Sequence, residues 1–282
     1  MEGSSHLGWL RPFSTTLSKE NAQLFTTLLE RRSGNLDSQE NRRLQIQTQI
    51  HSNVALFETR MGNYYLPTDV PTDIIVNEMQ RGRVFEPKIL KIAKKYITKG
   101  TAVLDVGANF GQMTLLFAEF VGGQGHVFSF EADDFIFEVL KMNLAAHGRN
   151  NVTPICKAVY HSSGQVMFYP VPDFQRFGSY GSYGLDPSAK DGRKVETITI
   201  DSLNIQAPIS FMKVDVQGSD LFVLQGSVET IKRNKMPIIF EYEALFQDEF
   251  KTSLKDYMQF VDSIDYKVKK VIYGVNYLIV PK

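Results

Sequence analysis

Apolar positions in this chain follow two rhythms, and both show in the stretch Thr101-Ala-Val-Leu-Asp-Val-Gly-Ala-Asn-Phe-Gly111. A short continuous apolar run predicts a buried strand, two glycines predict a tight turn, and residues 112–120 then recur at helical spacing. The same alternation continues. Residues 125–130 read as a second strand, 134–147 as a helix with Phe135, Val139, Leu140 and Leu144 on one face, and 152–159 as a third strand. Residues 165–169 and 195–200 read as further strands, 211–216 as a central one, 220–232 as a helix, and 237–243 as another strand. A last helix at 254–264 precedes two strands, 266–272 and 275–280, joined about Tyr273-Gly274. Strands that alternate with helices predict a mostly parallel sheet in an α/β fold, and a two-residue link forces an antiparallel member at its end.

The region before residue 101 has a different texture. Residues 1–17 read as a loose arm, Ser18 as the cap of a helix over 19–32, and the Gln- and Arg-rich residues 37–50 as a second, more exposed helix. We therefore expect residues 1–53 to be a helical N-terminal extension of unknown role and residues 54–282 to be the functional domain. That domain opens with a hairpin over 54–67, a helix capped by Thr72 and ended by Gly82, and a lysine-studded helix over 88–96.

Charge and cysteine content narrow the function. Lys and Arg together number 31, as do Asp and Glu, so no whole-molecule field draws the chain to nucleic acid or an anionic membrane, and the expected ligand is small. Cys156 is the only cysteine, which excludes an internal disulfide and fits a reducing compartment. An early acid, the lack of an apolar leader core and the lack of any apolar run of about 18 residues lead us to expect a cytoplasmic protein without a membrane span. His6 and His51 have no companions at ligand spacing and read as surface residues.

The candidate chemistry collects at strand ends. Gly107 and Gly111 allow close backbone approach to a ligand, with Ala108, Asn109 and Phe110 between them and Asp105 just before, and the first free N–H groups of the following helix are expected to face that space. The glycines do not follow G-x-G-x-x-G, since Asn109 holds the middle place. A pyrophosphate is thus the weaker fit, and a carboxylate plus an ammonium on a nucleoside the better one. Glu131 ends the second strand, where an acid accepts hydrogen bonds from adenosine ribose hydroxyls. Glu86, at a helix entry, and Ala158, late in the third strand, join the cofactor-binding candidates. Asp215 and Glu241 end adjacent strands facing the same crevice and are the catalytic candidates. The insertion over 170–193 carries Phe174, Phe177, Tyr180 and Tyr183, of which Tyr180 and Tyr183 are the substrate candidates; the alternative is a surface loop without function.

Several stretches, taken in order, resemble one family: Val103-Leu-Asp-Val-Gly-Ala-Asn-Phe-Gly111, Phe130-Glu131, Thr199-Ile-Asp-Ser-Leu203, Met212-Lys-Val-Asp-Val-Gln-Gly218, Leu224-Gln-Gly226 and Ile239-Phe-Glu241. Over residues 54–280 the chain resembles FkbM-type methyltransferases. That resemblance implies the seven-strand, Rossmann-like methyltransferase sheet, S-adenosylmethionine as cofactor, and O-methylation of a sugar, glycan or natural-product hydroxyl on a small-molecule, glycan or lipid-linked acceptor. Gln217 and Asp220 stand where the family usually has glutamates. Asp215 and Glu241 would also suit a divalent ion gripping a sugar diol, but no histidine joins them at ligand spacing, and the reading without metal is preferred. The rival readings are a nicotinamide-dependent oxidoreductase and a methyltransferase-like domain that binds without turnover.

Overall fold

The computed structural model describes residues 38–282, so the expected arm, the helix over 19–32 and His6 lie outside the described residues. The chain divides into two units, Met1–Thr48 and Gln49–Lys282. The described elements run α1 (Ser38–Asn53), β1 (Val54–Thr59), β2 (Gly62–Pro67), α2 (Ile74–Gln80), α3 (Pro87–Tyr96), β3 (Ala102–Val106), α4 (Gln112–Val121), β4 (His126–Phe130) and α5 (Asp134–Ala146). Then come β5 (Val152–Ile155), β6 (Ala158–Val159), β7 (Val166–Tyr169), β8 (Arg193–Ile198), β9 (Ile209–Val214), α6 (Asp220–Gln225), α7 (Val228–Asn234) and β10 (Ile238–Glu241). The chain closes with α8 (Ala244–Phe250), α9 (Leu254–Ser263), β11 (Tyr266–Ile272) and β12 (Asn276–Pro281).

The main sheet has seven strands in the order β11-β12-β10-β9-β3-β4-β5. From β10 to β5 all neighbours are parallel, and β12 is antiparallel to both β10 and β11. The terminal hairpin thus inserts its second strand between β10 and β11, because the three-residue turn over 273–275 reverses direction and the free edge of β10 accepts the returning strand. Central strands are apolar on both faces and are covered on both. Leu104, Met212, Val214 and Phe240 pack with Leu221, Leu224, Ile231 and Tyr257 on one side. Val103, Phe211 and Ile239 pack with Ile89, Ile92, Met113 and Phe117 on the other.

Four local readings are corrected. The strand expected over 152–159 is two strands, since β6 leaves the main sheet to pair with β8 in a separate three-stranded sheet with β7. The strand expected over 195–200 is Arg193–Ile198 in that same small sheet. The helix expected over 220–232 breaks at Gly226, where a Cβ would lie 2.0 Å from the Tyr160 carbonyl oxygen; close packing requires glycine there, and α7 restarts after it. The cap of α2 is Asp73 rather than Thr72, with one carboxylate oxygen accepting from the N–H groups of Ile75 and Val76. Thr72 instead donates its hydroxyl to the Gly178 carbonyl and ties down the aromatic insertion.

Candidate active site

The carboxyl ends of β3, β4 and β9 open into a crevice of about 1000 Å³ counted to its mouth, and Glu241, at the end of β10, is outside its lining and joined to it through Gln217. Its wall includes Gly107, Ala108, Asn109, Phe110, Glu131 and Ala158, with Glu86 and Asp215 across from them. The fold thus brings most of the expected cofactor residues together. Gly111 serves beneath them in a left-handed conformation, its α-carbon so near Leu140 that a Cβ would lie 2.4 Å from a methyl. Gly107, also left-handed, lies against the next strand end, where a Cβ would come 1.8 Å from the Asp215 carbonyl oxygen.

The amides of the turn itself are committed within the protein. Gly107 and Ala108 both donate to the Phe130 carbonyl, Asn109 donates to Glu131 Oε2, Phe110 to the Asn109 side-chain oxygen and Gly111 to the Ala108 carbonyl. A turn with its amides committed has none to offer a pyrophosphate. Glu131 also accepts from the Asp133 N–H, so it closes the β3 turn onto the β4 end while its side of the crevice remains open to a diol. Burial, with Asp133 nearby, pushes its carboxyl up to about 7. Arg193 braces the same segment, donating to Asp133, Asp134 and the Ala132 carbonyl.

The chemistry of the opposite wall is set by a lysine that sequence reading passed over. Lys213 interrupts the apolar run of β9, is 4 % exposed, and donates to Asp215 Oδ2 at 3.0 Å and to the Gly107 carbonyl at 3.4 Å. Its place among apolar neighbours is itself the signal, because a lysine is rarely buried unless paired. Burial opposes the charge of Asp215, but Lys213, then the hydrogen bonds of Gln217 and Glu241, outweigh it and hold the carboxyl below its usual range. Gln217 donates to Asp215 Oδ1 at 3.0 Å and to Glu241 Oε2 at 2.9 Å, bridging the two catalytic candidates. Burial and the charge of Asp215 push Glu241 up to about 11, so it is protonated at neutral pH. Glu86 accepts from the Asn276 amide and is raised to about 7 by burial and then by Asp215. Asp105 is buried, accepts from the Thr114 hydroxyl at 2.5 Å, and is raised by burial; its second oxygen has no partner. It stands behind the turn rather than in the crevice wall.

Three non-glycine residues here, Glu86, Asn109 and Gln217, hold left-handed backbone conformations at φ 56°, 50° and 53°. Such residues cost about 1–3 kcal/mol each and collect where side chains must be aimed. Gln112, another residue not foreseen, accepts from the Phe85 N–H and donates to the Arg83 carbonyl, which holds the segment carrying Glu86 over the strand ends.

The aromatic insertion is packed onto the crevice. Gly178, Gly181 and Gly184 approach Thr72, Ile75 and the Val216 carbonyl so closely that a Cβ at each would fall within 2.7 Å of them. Tyr180 is buried, its ring against Phe110, Phe135 and Phe174, its hydroxyl donating to Asp69 and its N–H to Asp73. Tyr183 also borders the crevice, with its hydroxyl donating to the Asp173 carbonyl.

The site residues fit a particular class of ligand. Glu86, Glu131 and Asp215 line the crevice together with the buried Lys213, a wall that suits a diol and a cationic centre. The model of the methyltransferase FkbM domain matches residues 105–268, more than half of the chain. The chain belongs to the FkbM methyltransferase family. Its methyl donor is S-adenosylmethionine. An FkbM methyltransferase of Methylobacillus flagellatus is similar over 92 % of this chain and 58 % of its own, at 15 % identity and a TM-score of 0.44. A SAM-dependent methyltransferase of Aquifex aeolicus (70 % and 90 % covered, 17 % identity, TM-score 0.38) and an rRNA methylase of Streptococcus thermophilus (69 % and 95 %, 11 %, 0.41) are also similar. No curated protein matches. Among the described residues of this methyltransferase, no three His, Cys, Asp or Glu side chains are grouped to hold a metal ion.

Proposed function

We propose that this methyltransferase transfers the methyl group to a hydroxyl oxygen of a sugar, glycan or natural product, with residues 54–282 as its catalytic domain and residues 1–53 as an extension of unassigned role. The observation that carries this reading is the Lys213–Asp215–Gln217–Glu241 network at the crevice floor. S-adenosylmethionine supplies a methyl already activated by its sulfonium, so the protein's work is to hold the acceptor in line, an effect worth up to about 7–11 kcal/mol. Asp215, kept anionic by Lys213, is the acceptor for the hydroxyl proton as charge develops, which adds about 10²–10⁴-fold. Glu241 enters protonated and donates to Asp215, and Gln217 fixes the spacing of the two. Tyr183 forms the crevice edge on which a sugar face would rest.

The test is methyl incorporation from labelled S-adenosylmethionine into glycan and natural-product extracts, with Asp215→Asn beside the wild type. The proposal expects alkali-stable methyl ether in wild-type product and a loss of at least about 10²-fold in Asp215→Asn at unchanged cofactor affinity. Label in amine or carboxyl products would overturn O-methylation. If Asp215→Asn loses cofactor affinity and turnover together, Asp215 holds the ammonium of the donor instead.

A further inference from the structure

The charges of this chain balance in number but not in place. Residues 87–104 and 266–282 hold no acid. Lys88, Lys91, Lys94, Lys95 and Lys99 are exposed on α3 and the turn after it. Lys267, Lys269 and Lys270 are exposed on β11, the edge strand of the main sheet. The two elements adjoin: Ile89 and Ile92 pack in one cluster with Ile272 and Leu278, Lys269 lies over the Tyr96 ring, and Lys88 lies over the Tyr273 ring. None of these lysines forms an ion pair among the described residues. The flanking acids Asp262 and Asp265 precede β11, and Asp262 is held by Lys282. Like charges at Lys91 and Lys95, one helical turn apart, weaken α3, and no side chain on its exposed face relieves them.

From this face we infer a docking surface for an anionic phospholipid bilayer. Charge complementarity requires an anionic occupant. The apolar residues among the lysines choose which one: Val268 and Val271 on the same strand and Tyr273 in the turn just after it are 37–46 % exposed. A headgroup layer takes both kinds of group, ammoniums onto phosphates and valine or tyrosine side chains into the interface. A single-stranded nucleic acid would want free aromatic faces for its bases, whereas the rings of Tyr96, Phe120 and Tyr273 each already carry a lysine. The face ends at the crevice, because Glu86 immediately precedes α3 and bonds Asn276 of β12. Docking by this face would place the mouth of the active site beside the membrane surface. The inference does not depend on which atom is methylated.

Cosedimentation of the full chain with sucrose-loaded phosphatidylcholine vesicles containing about 30 % phosphatidylserine tests it. The full chain should bind these vesicles and leave pure phosphatidylcholine unbound, and raising salt to about 0.5 M should release it. K91E/K95E/K270E changes three lysines that lie on no ring and should weaken partition at least about tenfold. K190E/K251E/K255E makes the same change in net charge elsewhere and should bind as the wild type does; melting curves establish that both variants are folded. The inference is overturned if wild type ignores anionic vesicles, if both triple variants lose binding equally, or if a mixed-sequence oligoribonucleotide is retained at a salt concentration that releases the vesicles.

Discussion

Lys213→Met removes the buried cation beside Asp215 while keeping the apolar length of the side chain. In the native protein the Asp215 carboxylate has Lys213 Nζ at 3.0 Å, the Gln217 amide at 3.0 Å, and its side chain is 24 % exposed. Removing one partner of a buried ion pair costs about 3–5 kcal/mol, and the remaining amide and the partial exposure place this case at the lower end, about 3 kcal/mol. The pH dependence carries the sharper signature. With Lys213 present, the Asp215 carboxyl is lowered in the folded state, so its stabilisation is present above the unfolded value near 4 and persists until the pH falls through the folded one. Without Lys213, burial and the neighbouring Glu86 and Glu243 raise it above the unfolded value, and stability is lost as the pH rises. Urea unfolding at pH 5 and pH 8 should therefore show a larger deficit for Lys213→Met at pH 8, and Lys213→Met/Asp215→Asn should recover at least half of it. A deficit below about 1 kcal/mol at pH 8, or one equal at both pH values, would refute the assignment of Lys213 as the group that keeps Asp215 charged.

Three further outcomes follow from the same geometry. Burial pushes Glu86, Glu131 and Asp220 to about 7, so the folded chain holds protons there that the unfolded chain releases near pH 4, and the melting temperature of the ligand-free protein should fall as the pH rises from about 5 to 8; an unchanged or rising value would contradict this. Glu131→Ala should weaken S-adenosylhomocysteine binding by about 1.5–3 kcal/mol in calorimetry and also lower the melting temperature, since the N–H groups of Asn109 and Asp133 lose their acceptor; unchanged binding would remove Glu131 from the ribose site. Tyr183→Ala should lower kcat/KM for the acceptor at least about tenfold with the cofactor dissociation constant within about twofold, whereas Tyr180→Ala should cost stability first, because its ring is buried among Phe110, Phe135 and Phe174.

Short-range patterns were legible in the sequence because their causes are local. Continuous apolar runs ending in Asp105-Val-Gly107, Phe130-Glu131 and Val214-Asp215 mark buried parallel strands whose carboxyl ends carry the chemistry, and the turn at Tyr273-Gly274 compels an antiparallel pair. Glu131 and Asp215 could be placed at the crevice for the same reason, since topology alone sends their strand ends there, whereas Glu241 reaches it only through Gln217. What sequence could not show depends on distant partners. Whether the amides at 107–111 are free was decided by the Phe130 carbonyl and Glu131, on the neighbouring strand. The break at Gly226 was decided by the Tyr160 backbone, and the departure of Ala158 and Val159 from the main sheet by pairing with Thr197 and Ile198. The ionisation of Asp215 and Glu241 was decided by Lys213 and Gln217, because a carboxyl's charge in a low-dielectric crevice follows the groups within a few ångströms in space, and the chain records only which groups exist.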